Sequence, residues 1–277
     1  MTVVSLMEVG NIVTRERTKA TGVKAMCSVL YKLAVPMRWV DLSESFGHSP
    51  SGLSNIFLHT TLHLNGDLLD SKLEEFSEAM FAAGAPYTKI WCFIDGTVRR
   101  VCRPQPQKVC GKRKYLTQQS VYNGHKRKHS LKFQSLMTPD GMISHLFGPF
   151  PGRNHDIKYN SRCDERFKDY RIFRDCAYGR DDVMLSPFGK AVGNMTAVQL
   201  QISSSMRKLR VSVEWVLNYW KTLDVKSNLR TGTQPVGKMY HVGVLMNNCI
   251  TCLRGGNTAS DYFKVKFPNI REYLHST

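Results

Sequence analysis

The chain has 277 residues, with 39 Lys and Arg against 22 Asp and Glu, and a formal net charge of +17. A hydrophobic content of 42% with 10% aromatics excludes a disordered or collagen-like chain, and the length suits one large domain with a small companion. No run approaches the roughly 18 apolar residues of a membrane span. Near the N-terminus, Glu8, Arg15, Glu16 and Arg17 interrupt any secretory h-region. The expected compartment is therefore reducing, and the eight cysteines are expected to be thiols.

Residues 1–19 read as a tail and 20–85 as a helical N-terminal region. Lys24 to Leu33 carries apolar residues at helical spacing, and Pro36 closes it. Val40 to Phe46 is a second short helix, ended by Gly47. Ser49 and Pro50 then supply an N-cap and a first-turn proline for a third helix, Ser51 to His63, with Leu53, Ile56, Phe57 and Leu62 on its inner side. This arrangement fits a helix-turn-helix and equally an ordinary helical hairpin. An acidic connector with Asp67, Asp70, Glu74, Glu75 and Glu78 ends at Gly84-Ala-Pro86, where a domain boundary is expected.

Past Pro86 the pattern changes to strands. Lys89 to Ile94 is a nearly continuous apolar run expected to stop at Asp95-Gly-Thr97, as a buried central strand would. Leu131–Met137 and Met142–Phe147 flank the turn signal Thr138-Pro-Asp-Gly141. Asp156 can cap a helix over Ile157 to Phe167, Tyr170 to Arg174 is a further strand, and Met206 to Leu223 is strongly helical. The fold class is α/β, or mixed α+β.

The charge is focused. Between Asp95 and Asp140 there is no acidic residue, and this window holds 11 of the 17 net charges, an arrangement that points to a polyanionic partner. Arg99, Arg100, Lys112, Arg113, Lys114, Lys126, Arg127, Lys128 and Lys132 are the expected DNA contacts within it, joined by Arg210 from the long helix. Tyr115 and Tyr122 could stack on bases or pack on the sheet.

Two predicted strands end in an aspartate, Asp95 and Asp175, and sheet edges of this kind carry active sites in α/β proteins. On the long helix, Arg207, Arg210, Glu214, Asn218 and Lys221 form a polar stripe beside the apolar residues Leu209, Val213, Val216 and Trp220. Two strand-end aspartates and a helix glutamate beside a basic surface are what a two-metal phosphoryl-transfer site needs, because Mg²⁺ and Mn²⁺ prefer carboxylate oxygens.

The ordered motifs Ile94-Asp-Gly-Thr97, Tyr122-Asn-Gly-His-Lys-Arg-Lys-His-Ser-Leu-Lys-Phe-Gln-Ser135, Gly148-Pro-Phe-Pro-Gly-Arg-Asn-His-Asp156, Arg174-Asp-Cys-Ala-Tyr178 and Arg210-Val-Ser-Val-Glu-Trp215 resemble the PIF/Harbinger transposase family. That family includes domesticated nucleases. Leu33 to Ser54 is similar to the helical region that precedes the catalytic domain in the same proteins. The resemblance implies an RNase H-like DDE nuclease domain over 86–277, with Asp95, Asp175 and Glu214 as catalytic triad and ligands of two Mg²⁺ or Mn²⁺ ions. Asp156 is the other candidate for the second aspartate and is otherwise read as a structural cap or as a group behind the metal ligands. Thirty-eight residues separate Asp175 from Glu214, against 57 from Asp156, and the shorter gap is closer to what the resemblance implies.

Hydrolysis of DNA phosphodiesters is the implied activity, in the nucleus with a cytoplasmic pool, with a separate Myb-like DNA-binding partner and self-association. The chain departs from the family pattern around the second aspartate. Where the resemblance implies Gly before it and Pro in the turn after it, there stand Arg174, Cys176 and Gly179. Arg174 could pair with the carboxylate in competition with a metal, so the alternative is a domesticated DNA-binding protein without cleavage. His125 and His129, at i and i+4, are expected to face DNA or orient the core rather than hold a metal. Cys249 and Cys252 are expected as buried thiols of a C-terminal helix.

Overall fold

Ile90, Trp91, Cys92, Phe93 and Ile94 are all buried, and they open a long strand, β3 (Ile90–Arg100), in the middle of a mixed sheet. The computed structural model describes residues 10–34, 38–63, 72–104, 107–109, 112–114, 116–154, 169–175, 183–188, 195–221 and 236–275. Asp156 and the helix expected over Ile157 to Phe167 lie outside the described residues. So do Pro36, Asp67, Asp70, Tyr115, Cys176 and Gly179.

On one side, β3 pairs in parallel with β9 (Arg171–Phe173), which pairs in parallel with β10 (Met184–Leu185). On the other side it pairs antiparallel with β7 (Lys128–Met137), and β7 pairs antiparallel with both β8 (Ile143–Pro151) and the short β6 (Tyr122–Asn123). The β7–β8 hairpin turns at Thr138–Gly141 as the sequence predicts. Gly141 takes a positive φ of 80° there, and Thr138 donates to Asp140 Oδ1 at 2.6 Å. Burial raises the pKa of the Asp140 carboxyl, while hydrogen bonds from Thr138 and the Met142 amide oppose the shift.

Among the described residues, the first helices are α1 (Gly22–Ala34), α2 (Trp39–Phe46) and α3 (Pro50–His63). Gly47 closes α2 in the left-handed conformation, its N–H donating to Ser43 O at 2.9 Å. Ser49 Oγ caps α3 by accepting from the Gly52 amide at 3.1 Å. Before them, β1 (Ile12–Val13) and β2 (Lys19–Ala20) form a two-stranded ribbon within the segment read as a tail. Met26 and Val29 of α1 and Phe57 of α3 belong to the same core cluster as the sheet residues. Each fully buried side chain of this size contributes about 1.5–3 kcal/mol through removal from water.

The acidic helix α4 (Leu73–Ala82) packs on β3. The basic window then forms a second ribbon, β4 (Gln107–Val109) with β5 (Lys112–Lys114), and a short helix, α5 (Leu116–Val121). The chain closes with α6 (Ala197–Lys221), α7 (Val236–Arg254), α8 (Thr258–Phe263) and α9 (Ile270–His275). Asn248 of α7 clasps the start of β8. Its Oδ1 accepts from the Ile143 amide at 3.0 Å, and its Nδ2 donates to the Ile143 carbonyl at 2.9 Å.

Several predicted boundaries are corrected, two of them beside the aspartates and the long helix. First, β3 does not stop at Asp95 but continues to Arg100, because β7 keeps pairing with it as far as Ser130 opposite Arg100. Second, the long helix begins at Ala197 rather than Met206. Its true start carries a capping box: Gln199 N–H donates to Thr196 Oγ1 at 3.3 Å, and Gln199 Oε1 accepts from the Thr196 amide at 3.1 Å. Polar residues and the exposed Val198 and Leu200 hide the helical period in that first half.

Strand β8 runs past the predicted Phe147 through Gly148-Pro-Phe-Pro151. The register against β7 shifts between Lys132 and Gln134, where the chain bulges at Gly148. Gly148 has a φ of 131°, and a Cβ there would stand 2.8 Å from the Phe133 ring and 2.9 Å from the Lys132 carbonyl. Gly148→Ala is therefore expected to destabilise the fold by about 1–3 kcal/mol, measured as a lower urea midpoint with an unchanged m-value. A wild-type midpoint would contradict the assignment of this bulge to glycine.

Candidate active site

The register of the parallel pair builds the site. Phe93 lies level with Phe173, and their rings meet edge to face at 5.6 Å. Two residues further along each chain come Asp95 and Asp175, just beyond the last β9 pairing. Asp95 is thus mid-strand toward β7, where it faces Ser135, and at the open edge toward β9. This reconciles a mid-strand aspartate with the usual location of α/β sites at the carboxyl ends of parallel strands.

A guanidinium joins the two acids. Arg210 of α6 places Nη1 at 2.8 Å from Asp175 Oδ1 and Nη2 at 3.7 Å from Asp95 Oδ1. Glu214 stands one turn further on the same helix face and is exposed. Burial holds the Asp95 carboxyl above the usual aspartate range. The Arg210 charge and the Gly96 amide oppose that shift, while the charges of Asp175 and Glu214 add to it. The other two acids named from the sequence are therefore near enough to Asp95 for their charges to act on its carboxyl. The apolar stripe of α6 is as predicted, with Leu209, Val213 and Val216 buried.

The donors suit a hard divalent cation, since carboxylates from two neighbouring strands already share one positive group, and a third lies on the adjoining helix. Among the described residues, no group of three His, Cys, Asp or Glu side chains is close enough to hold a metal ion. Arg210 occupies the position between the two aspartates instead.

Arg174, expected as a partner of the second aspartate, is buried and brings Nη1 to 2.9 Å from Met184 Sδ. The guanidinium on Asp175 is that of Arg210, which the sequence reading assigned to DNA. Its spacing of four from Glu214 was the available signal. Asp156 lies outside the described residues.

The basic residues are distributed along one end of the sheet. Arg100 ends β3 exposed, and Arg99 beside it lies with its guanidinium carbon 5.6 Å from the Tyr240 ring. Lys126 and Arg127 are exposed in the β6–β7 turn, Arg127 at a φ of 49°. Lys128 starts β7, and Lys132 Nζ donates to the Asn154 carbonyl at 2.6 Å. Lys112, Arg113 and Lys114 form β5.

His125 and His129 lie on a turn and a strand, not on one helix face. Partial burial, with the nearby charge of Arg103, holds the His129 imidazole below its usual range. Cys249 and Cys252 lie on α7, where burial pushes their thiols up to about 12 and about 11, so both stay protonated near neutral pH.

A mixed sheet with paired strand-end aspartates and a helix glutamate is the setting of a carboxylate-centred nuclease site. The sequence profile described as DDE superfamily endonuclease matches residues 94–248, more than half of the chain, and the chain belongs to that family. The matched span contains Asp95, Asp175, Arg210 and Glu214. No curated protein and no solved structure matches the chain.

The raised pKa of Asp95 fixes the sign of two effects. Above the ordinary aspartate value the unfolded chain releases a proton that folded Asp95 retains, so this residue's contribution lowers stability as pH rises through that window. Asp95→Asn is expected to raise the melting temperature at neutral pH, and a lower one would contradict the site's electrostatics. Arg210→Gln removes the charge that holds the Asp95 pKa down. It should move the acid limb of Mn²⁺ binding to higher pH, read by titration calorimetry across pH.

Proposed function

We propose that the protein is a metal-dependent DNA endonuclease of the PIF/Harbinger type, acting through Asp95, Asp175 and Glu214. The observation that carries this reading is the pair of strand-end aspartates joined by Arg210, with Glu214 one turn further on the same helix, inside a matched DDE endonuclease span. The sheet order β10-β9-β3-β7-β8, with β7 antiparallel to its neighbours, supports an RNase H-like domain over 86–277. The helices of 20–85 supply its helix-turn-helix-like companion.

DDE endonucleases generally use divalent metals. Asp95, Asp175 and Glu214 would hold Mg²⁺ or Mn²⁺, with Asp156 as a further ligand, and such ions activate water and stabilise the leaving oxygen of a phosphodiester. Asp95 and Asp175, held on the rigid sheet, would fix where such ions meet the reacting phosphate. Arg210 can exchange its carboxylate partners for a phosphate oxygen, since a guanidinium binds both with the same two-pronged geometry. The exposed cations of the β6–β7 turn hold the flanking backbone, together with the basic residues carried by the β4–β5 ribbon. Action in the nucleus, beside a Myb-like partner and in oligomeric form, belongs to the same reading.

A second reading has its own observation. Arg210 lies between the aspartates, so a protein that binds DNA without cutting it is the alternative.

A nicking assay on supercoiled DNA in Mg²⁺ or Mn²⁺ separates the two. Cleavage is expected to stop with a chelator and to fall in Asp95→Asn and Asp175→Asn by more than the ~100-fold typical of losing an outer-shell partner. DNA binding with no metal-dependent cleavage would select the second reading. Replacing Lys126, Arg127 and Lys128 with alanine should flatten the slope of log K against log[salt] by up to about 3, close to one unit per lost phosphate contact. An unchanged slope would remove that turn from the interface.

A further inference from the structure

Parts of two motifs that carry the sequence resemblance, around Tyr122–His129 and at Arg153, meet away from Asp95 and Asp175 at an open cleft of about 820 Å³. Its walls include Arg103, Gln118, Gln119, Tyr122, His129 and Arg153.

Several features make this a built surface. Gln118 is buried, accepts from Arg103 Nε at 3.1 Å and donates to the Pro104 carbonyl at 2.6 Å, so Gln118 orients Arg103. The Arg153 amide donates to the Ser120 carbonyl at 3.0 Å. Its predecessor Gly152 lies so close to the chain that a Cβ would come within 2.5 Å of the Val121 and Ser130 carbonyls. A larger residue at 152 could not bring Arg153 to this edge. Tyr122 is 42% exposed and meets His129 edge to face at 5.3 Å, which leaves ring surface open to the cleft.

Two arginines, an exposed aromatic ring and the exposed Gln119 amide supply the contacts that a single nucleotide needs: phosphate pairing, stacking and edge recognition. A volume within the ~300–1,000 Å³ of small-ligand pockets suits a splayed base rather than an intact duplex. His129 lies six residues from Ser135, the partner of Asp95. At about 3.4 Å per residue this sets the cleft about 20 Å from the carboxylates along β7, the length of about six base-pair steps.

We propose that this cleft is a subsite for an unpaired nucleotide of the DNA on which the carboxylate site acts, stacked on Tyr122 and held at its phosphate by Arg103 and Arg153. It rests on the DNA reading above.

The test is binding in the absence of divalent metal. A blunt duplex is compared with the same duplex bearing a short single-stranded extension that contains 2-aminopurine. Wild type should bind the extended duplex roughly tenfold tighter, the weight of one stacked base, and quench the 2-aminopurine. Tyr122→Ala and Arg153→Ala should abolish the preference and the quenching while blunt-duplex affinity holds, and Tyr122→Phe should keep both. Equal affinity for the two duplexes without quenching overturns the subsite, as does equal weakening of both by Tyr122→Ala. A chain that binds and nicks blunt DNA but shows no preference loses only the subsite. One that binds neither duplex loses the DNA reading with it.

Discussion

The parallel pairing of β3 with β9 is the constraint on which the site depends. Its register makes Phe93 level with Phe173 and so brings Asp95 and Asp175 side by side at one edge. Two carboxylates at that spacing, one largely buried, repel each other and need a cation. Arg210 supplies it from α6. The long helix therefore does more than cover the sheet, since its polar stripe neutralises the charge that the strands concentrate. A one-residue slip of β9 would turn one aspartate to the opposite face and leave the other without its neighbour.

Much of this was legible in the sequence because the signals were local. The apolar run from Ile90 to Ile94, the Thr138–Gly141 turn, the Gly47 cap and the spacing of Leu209, Val213 and Val216 each follow from side-chain periodicity or backbone preference. Asp95, Asp175 and Glu214 were identifiable by element position and by resemblance. What escaped were relations between elements. Nothing local says that β7 continues to pair with β3 beyond Asp95, or that Thr196 and Gln199 start a helix through a polar stretch. The pairing of Arg210 with Asp175 escaped for the same reason, since Arg210 reaches that aspartate across the fold whereas Arg174 stands next to it in sequence.

The positive charge has an equivalent division. Sequence shows one acid-free window from Arg99 to Lys132, but the fold separates it into distinct surfaces. Lys112 to Lys114 form a small ribbon, Lys126 and Arg127 cap a turn, and Arg103 faces a cleft beside Tyr122.

The continuation of β3 past Asp95 bears on how the two sides of the site can move. Asp95 is held by strand pairing to Ser135 and by further pairs on either side of it, so its backbone is fixed with the sheet. Arg210 and Glu214 instead ride on one helix, from which Arg210 reaches the aspartates through its side chain. A rotamer change of Arg210 or a small shift of α6 would therefore alter the helix side of the site while leaving the depth and direction of the Asp95 backbone unchanged.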